Sequence, residues 1–172
     1  DLVLEADGSD AEMVVLKSWV ACRIGAAGKH WAVNSLGVLA AAVSAGADLW
    51  RAAEALAEVR APAGRGATEA LTLPQGPITL IDESYNASPA AMRAAFAVLA
   101  AYQPGASCRR VAVLGDMLEL GVNAPREHRE LGEALAALPV DRVFAAGPEM
   151  RALVEALRPE QQAGYAPDTG AL

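Results

Sequence analysis

Residues 78–102 read ITLIDESYNASPAAMRAAFAVLAAY, a short apolar run, five adjacent polar side chains and then a long Ala-rich stretch. The run ITLID (78–82) predicts a buried strand, and the Ala-rich stretch that follows predicts a helix. Ser88 is the expected N-cap of this helix, and Pro89 suits its first position, where a missing N–H has no cost. Because Ser88 already supplies the cap, the polar residues at 82–86 favour a ligand site over a simple turn.

The same order of strand and helix repeats downstream. RVAVLGD (110–116) predicts a second strand and APREHRELGEALAAL (124–138) a second helix. RVFAAG (142–147) and PEMRALVEAL (148–157) predict a third strand and a third helix. This alternation is typical of right-handed βαβ units, so the chain from about residue 63 is predicted to be an α/β, Rossmann-like domain with a mostly parallel sheet and helices on both faces.

The region upstream has a different character. Residues 1–25 are β-rich and partly alternating, which predicts short strands. Residues 28–59 predict a helical hairpin, in which Gly46 ends the first helix and Asp48 caps the second. The Pro/Gly-rich stretch RAPAGRGATEA (60–70) is the best candidate for a domain boundary.

Composition excludes several classes of protein. Hydrophobic residues make up 53% of the 172 residues, which is enough for a core, and the net charge of −7 argues against a nucleic-acid partner. A local basic pocket could still hold one nucleotide. No apolar run is long enough to predict membrane insertion. Cys22 and Cys108 are expected to be reduced thiols, with a disulfide or a metal site as the alternative.

Polar or glycine residues follow each of the three predicted strands. They are the 82–86 cluster, Gly115 with Asp116, and Gly147. Ligands of open parallel sheets bind beyond the carboxyl ends of the strands, so these residues predict a site at one edge. The alternative is that Asp and Gly stand there because they form turns.

Four further residues have both a functional and a structural interpretation. Arg65 lies between two glycines and could approach an anion closely, or the segment could be a flexible linker. His128 could be an exposed helix residue, His30 a capping or packing residue, and Asn34 a cap in the first turn of its helix. The sequence contains no G-x-x-x-x-G-K-[ST] phosphate loop. The residues alone support a nucleotide or small-anion site on a Rossmann-like sheet.

Three segments, in the same order along the chain, resemble motifs of the Mur ligase family of peptidoglycan synthesis. They are GKHWAVNSLGVLAAA (28–42), LIDESYNASPAAMRAA (80–95) and VAVLGDMLELG (111–121), the last with a histidine downstream. The residues of these motifs are most similar to those of the ligases that join D-alanyl-D-alanine to UDP-N-acetylmuramoyl-tripeptide. Another Mur ligase, a folylpolyglutamate synthase and a non-catalytic nucleotide-binding module remain alternatives.

The resemblance implies a domain organisation and a reaction. Residues 1–62 would be the tail of a central ATPase domain and residues 63–172 most of the C-terminal domain, in a fragment that lacks the phosphate loop and is inactive alone. The implied enzyme is an ADP-forming, ATP- and Mg²⁺-dependent ligase with UDP-MurNAc-tripeptide and D-Ala-D-Ala as substrates. It would be a cytoplasmic monomer that serves cell-wall synthesis, cell shape and division.

The resemblance also implies site residues, none of them catalytic or metal-binding. Positions implied to bind the nucleotide are His30, Asn34, Arg65, Asp82, Glu83, Tyr85 and Asn86. Positions implied to bind substrate are Tyr85, Asn86, Asp116, Glu119 and His128. Two positions depart from the family pattern, since Trp31 and Ser88 stand where the family usually has Asn.

Overall fold

The computed structural model describes residues 1–5, 8–103, 105 and 108–171 of the chain. The chain divides into two compact units, Asp1–Asn86 and Ala87–Leu172. The first contains antiparallel sheets and two helices, and the second a parallel sheet with three helices. This confirms the predicted α/β class.

The first unit begins with an antiparallel sheet whose strands lie in the order β1-β2-β3. The strands are β1 (Leu2–Glu5), β2 (Gly8–Val15) and β3 (Ser18–Ile24). Leu16 and Lys17 join β2 to β3 with φ of 47° and 73°, as a tight hairpin turn requires. The prediction of short strands in this region is therefore confirmed.

Two helices pack on this sheet. They are α1 (Lys29–Ser44) and α2 (Leu49–Ala55), and Leu39 and Ala53 belong to one buried cluster with sheet residues such as Val20. Gly46 has a φ of +95° just beyond α1. The Asp48 carboxylate accepts a hydrogen bond of 2.9 Å from the Arg51 N–H. The predicted helical hairpin, with its stop and its cap, is confirmed.

A second hairpin follows, and it corrects one expectation. Strands β4 (Ala67–Leu73) and β5 (Gly76–Asp82) pair antiparallel through a two-residue turn. β5 contains the ITLID run, which was expected beside the strand at 110–116 in a parallel sheet. It forms a separate two-stranded sheet with β4 instead, because the short turn places the two strands side by side. The first residues of β4 belong to the stretch that was interpreted from sequence as a domain boundary.

The second unit contains a parallel sheet of strand order β6-β7-β8. Its elements are α3 (Pro89–Ala101), β6 (Val111–Gly115), α4 (Ala124–Ala136), β7 (Arg142–Ala146), α5 (Met150–Ala156) and β8 (Gln162–Ala166). Ser88 caps α3 by accepting a hydrogen bond of 3.3 Å from the Ala91 N–H, and Pro89 begins the helix, as predicted. The short strand β8 was not predicted, because QAGYA has little hydrophobic signal.

One core joins the three helices to the sheet. Phe96 of α3, Leu131 of α4 and Leu153 of α5 are buried in one cluster with Val143 and Ala145 of β7. None of the helices in the described part of the chain is long and apolar enough to span a membrane.

Candidate functional site

The loop that carries Arg65 is hydrogen-bonded to the end of β5. Gly64 N–H donates to the Asp82 carboxylate at 2.9 Å, and Gly66 N–H donates to the Asp82 carbonyl at 2.8 Å. Tyr85 N–H in turn donates to the Gly64 carbonyl at 3.0 Å. We call Gly64–Gly66 together with Asp82–Tyr85 the Arg65 clamp. It joins two sequence motifs that lie some twenty residues apart.

Arg65 stands at the centre of the clamp. Its guanidinium carbon lies 4.1 Å from the centroid of the Tyr85 ring, which is itself 67% exposed. A cation over an aromatic face is held by the ring quadrupole, and this stacking leaves the edges of the guanidinium available to an anion. Gly64 and Gly66 have φ of +73° and +90°, and a Cβ at Gly64 would lie 2.9 Å from the Tyr85 Cβ. The glycines therefore shape a defined loop, which favours the anion-binding interpretation over the flexible linker.

The two carboxylates of the clamp have opposite electrostatics. The hydrogen bonds from Ser84, and then that from Gly64, lower the pKa of Asp82. Burial, assisted by the nearby Asp82 charge, raises the pKa of Glu83. Glu83 therefore takes up a proton more readily than an ordinary glutamate does.

His30 and Asn34 lie on α1. Burial lowers the pKa of His30, so its ring is neutral near pH 7. Within the described part of the chain, His30 Nδ1 and Trp31 Nε1 are buried without a hydrogen-bond partner. Gly28 is the N-cap residue of α1, so a capping role for His30 is wrong. Asn34 is exposed.

The segment after β6 carries the remaining residues. The Asp116 carboxylate accepts hydrogen bonds from the N–H groups of Glu149 and Met150, at 3.3 and 2.9 Å. A Cβ at Gly147 would collide with this carboxylate, so the ends of β6 and β7 do meet, as the sequence predicted for these two strands. Glu119 is exposed and has a φ of +63°.

His128 occupies an environment that the sequence did not indicate. It lies on α4 and is completely buried, so the interpretation as an exposed helix residue is wrong. Its Nε2 accepts a hydrogen bond of 3.0 Å from the Met117 N–H, and its Nδ1 lies 2.7 Å from the Ala124 carbonyl. Both ring nitrogens are therefore used within the chain, while the expected contact with substrate stays a prediction.

A family model described as "Mur ligase, glutamate ligase domain" matches residues 68–172, which is more than half of the chain. The chain belongs to the Mur ligase family. A relative named UDP-N-acetylmuramoyl-tripeptide--D-alanyl-D-alanine ligase, from Mycobacterium tuberculosis strain H37Rv, is 39% identical over 127 residues, which are 73% of this chain and 24% of the relative. The Mur ligase chain thus spans about a quarter of the length of the curated relatives it matches.

Solved structures agree with this assignment. A crystal structure of MurF from Acinetobacter baumannii matches with a TM-score of 0.82 and 29% identity, over 96% of this chain and 34% of that one. MurF from Thermotoga maritima, solved in complex with ADP, matches with a TM-score of 0.71 and 22% identity, over 99% of this chain and 42% of that one. The second likeness shows the shared fold.

The Mur ligase chain brings together only some of the residues expected to form its site. The first unit joins Arg65, Asp82, Glu83 and Tyr85 in the clamp, and the second unit places Asp116, Glu119 and His128 around one loop. His30 and Asn34 share α1, and Asn86 follows the clamp. Sequence reasoning missed the backbone N–H groups of Gly64 and Met117, for which the only signals were the G-R-G pattern and a downstream histidine.

Proposed function

We propose that this Mur ligase chain is part of an enzyme that joins D-Ala-D-Ala to UDP-MurNAc-tripeptide with conversion of ATP to ADP and phosphate. Residues 1–62 would be the tail of its central domain and residues 63–172 most of its C-terminal domain. The enzyme would act as a cytoplasmic monomer in the synthesis of peptidoglycan precursors, and so serve cell shape and division. The observation that carries the proposal is the Arg65 clamp, which presents a fixed cation in a chain whose relatives bear this ligase's name.

The reaction must activate a carboxylate, which is a poor electrophile. Bound ATP would supply the phosphoryl group that makes the terminal carboxylate of the tripeptide an acyl phosphate, with ADP released. The amine of D-Ala-D-Ala then attacks the acyl carbon, a new amide bond forms, and phosphate leaves. Negative charge develops on the transferred group, so fixed cations at the phosphates lower the barrier.

The clamp has the groups needed at the phosphates. Arg65 would pair with phosphate oxygens, since a guanidinium offers a fork of N–H donors. The Tyr85 ring stacks against that guanidinium, and the Asp82 carboxylate accepts a hydrogen bond from the loop that carries Arg65. Glu83, whose pKa is raised by burial and by the Asp82 charge, lies beside this loop. Asp82 and Glu83 would also order the ribose side of the nucleotide.

Other residues complete the proposed contacts. His30 and Asn34 would contact the adenine, and the buried, unpartnered Nδ1 of His30 is a candidate for such a contact. Tyr85 and Asn86 would lie near ATP and the incoming dipeptide. Throughout residues 1–5, 8–103, 105 and 108–171, no three His, Cys, Asp or Glu side chains are grouped to hold a metal ion. We assign no Mg²⁺ ligand to this chain, because Mg²⁺ is usually held by one or two carboxylates together with the phosphates of the nucleotide and would enter with ATP.

The test is phosphate release by the full-length protein that contains this chain, with ATP, Mg²⁺ and UDP-MurNAc-tripeptide, with and without D-Ala-D-Ala. We expect release that depends on the dipeptide, and a product whose mass equals the two substrates less one water. Arg65→Ala should lower kcat/KM for ATP about ten- to a hundredfold, the value of a charge-assisted hydrogen bond. Arg51→Ala, which removes an exposed arginine of the same unit, should leave it unchanged.

Two other outcomes would contradict the proposal. A folded full-length protein that binds ATP but releases no phosphate in either condition would be a binding module. Release that depends on glutamate and a folate, and not on the dipeptide, would indicate a ligase of the folylpolyglutamate type.

A further inference from the structure

The loop that follows β6, residues 116–120, is anchored to the protein on one side by Asp116. The carboxylate of this residue accepts hydrogen bonds from two backbone N–H groups that lie 33 and 34 residues later in the sequence. These groups belong to Glu149 and Met150, where α5 begins. Both carboxylate oxygens are engaged in this way, so the role shown for Asp116 is to tie the loop to the beginning of α5.

His128 anchors the next residue of the loop. A carbonyl oxygen can only accept, so Nδ1 of His128 must carry the proton that it donates to Ala124. Nε2 then holds the lone pair that accepts the Met117 N–H. The arrangement requires one neutral tautomer, with the proton on Nδ1. The Met117 side chain is only 2% exposed and belongs to the core of the unit.

The residues that follow these anchors point outward. Leu118 is 77% exposed, and Glu119 is exposed with a φ of +63°. A left-handed conformation is unfavourable for a non-glycine residue, so the surrounding structure must impose it. Among the residues that the structure describes, no hydrogen bond or ion pair is recorded for the Glu119 carboxylate. The Glu119 carboxylate is thus unpaired within the described part of the chain, and the hydrogen bonds of Asp116 and Met117 hold the backbone that precedes it.

We propose that Asp116 and His128 are positioning residues, which hold the loop so that Glu119 binds the ammonium group of the incoming dipeptide. This inference rests on the proposed function, in which that ammonium is the cationic group of the acceptor. A carboxylate on a fixed backbone binds a small cation without the entropy cost of ordering a mobile loop. In this role each positioning residue acts through the backbone of the loop, since its hydrogen bonds are made within the chain.

The first experiment tests the anchor without reference to catalysis. The 172-residue chain has only two histidines, so ¹⁵N-histidine labelling gives two rings to assign. We expect His128 to show a protonated Nδ1 and an unprotonated Nε2, and this pair of signals should be absent from His128→Gln. A ring protonated at Nε2 in the neutral form would overturn the anchor.

The second experiment measures ligation by the full-length protein. His128→Leu removes the acceptor for the Met117 N–H, whereas the amide oxygen of His128→Gln can replace it. We expect His128→Leu and Glu119→Gln to raise KM for D-Ala-D-Ala roughly tenfold, with KM for ATP changed less than about twofold, and His128→Gln to recover most of the loss. Glu133→Gln, which alters an exposed carboxylate of α4, should behave as wild type.

The outcomes separate this inference from the proposed function. If the wild-type protein ligates but Glu119→Gln and His128→Leu keep its KM for the dipeptide, the inference alone fails. If His128→Leu raises both KM values and His128→Gln does not rescue it, His128 has only a structural role and the inference again fails. If the wild-type protein does not ligate, the proposed function fails, and the inference that rests on it falls too.

Discussion

At the scale of single residues, the Arg65 clamp depends on Asp82 more than on any other side chain. Asp82 accepts hydrogen bonds from the backbone N–H groups of Gly64 and Ser84, at 2.9 and 3.0 Å. It therefore closes the turn after β5 and also holds the loop that carries Arg65. Through these two hydrogen bonds, Asp82 affects the position of the Arg65 guanidinium whether or not it contacts a ligand itself.

Asp82→Ala should lower the ligation activity of the full-length protein sharply without unfolding it. The two N–H groups lose their acceptor but can turn to water, so we expect only a small loss of stability. The loosened Arg65 loop should reduce kcat/KM by about ten- to a hundredfold. Steady-state kinetics together with urea unfolding measures both effects.

Asp48→Ala is the matched control for this variant. It removes a carboxylate that accepts a backbone N–H at the start of α2, away from the clamp. Asp48→Ala should lower the free energy of unfolding by about 1 kcal/mol and leave kcat/KM unchanged. Near-normal activity in Asp82→Ala would reduce Asp82 to a turn residue.

Glu83 gives the clamp a dependence on pH. Because its pKa is raised in the folded state, the folded chain binds more protons than the unfolded chain between the ordinary value of 4.5 and the raised one. Stability therefore falls as pH rises through that window. Glu83→Gln should increase the urea midpoint at pH 7, and the gain should shrink as the pH falls towards the ordinary value of 4.5.

Asp82→Asn provides the comparison of opposite sign. The pKa of Asp82 is lowered, so its contribution to stability is present above the ordinary value of 3.8 and is lost as pH falls. This variant should be less stable than wild type at pH 7 and approach it in acid. A gain in stability for Asp82→Asn at pH 7 would contradict the assignment of Asp82, and a loss for Glu83→Gln would contradict that of Glu83.

At the scale of elements, the close approach of α4 and α5 depends on a glycine. Gly132 is buried in the middle of α4, and a Cβ there would collide with the Leu153 carbonyl and lie 2.9 Å from the Ala156 Cβ. Glycine in a helix is normally unfavourable relative to alanine by up to about 1 kcal/mol. Here the tight packing outweighs that preference.

Gly132→Ala should therefore destabilise the chain by about 1–3 kcal/mol, the usual cost of overpacking. Gly37 of α1 is the control, because a Cβ there meets nothing within 4 Å. Gly37→Ala should be neutral or stabilising by up to about 1 kcal/mol. Denaturation followed by circular dichroism distinguishes the two, and equal effects would contradict the packing argument.

At the scale of the whole molecule, the chain has two compact units with separate cores. The Arg65 clamp lies in Asp1–Asn86, and the loop that presents Glu119 lies in Ala87–Leu172. Each unit thus carries one group of the residues proposed for the reaction.

The 172-residue chain by itself should not turn over ATP. Its sequence contains no phosphate loop of the G-x-x-x-x-G-K-[ST] type, which supplies the backbone N–H groups and the lysine that hold the phosphates. We expect phosphate release at the background rate from the purified chain, and release well above it from the full-length protein. Release by the chain alone that Arg65→Ala abolishes would show that this expectation is wrong.

Features whose causes lie within a few neighbouring residues could be predicted from the sequence. Ser88 and Pro89 predicted the start of α3, and Gly46 and Asp48 predicted the break between α1 and α2, because capping and glycine conformation are local chemistry. The apolar runs predicted β6 and β7. The G-R-G pattern and the polar cluster at the end of β5 predicted a ligand site, and the structure shows that these two segments are hydrogen-bonded to each other.

The contacts between groups that lie far apart along the chain became visible in the folded structure. β5 pairs with β4 rather than with β6, and the residues of an apolar strand do not specify which other strand it pairs with. His128 is buried, and its ring accepts a hydrogen bond from the Met117 N–H. Helical periodicity does not encode this contact, which joins residues eleven positions apart. Asp116 likewise finds its hydrogen-bond donors 33 and 34 residues away, so its role became visible only once β6 and β7 were side by side.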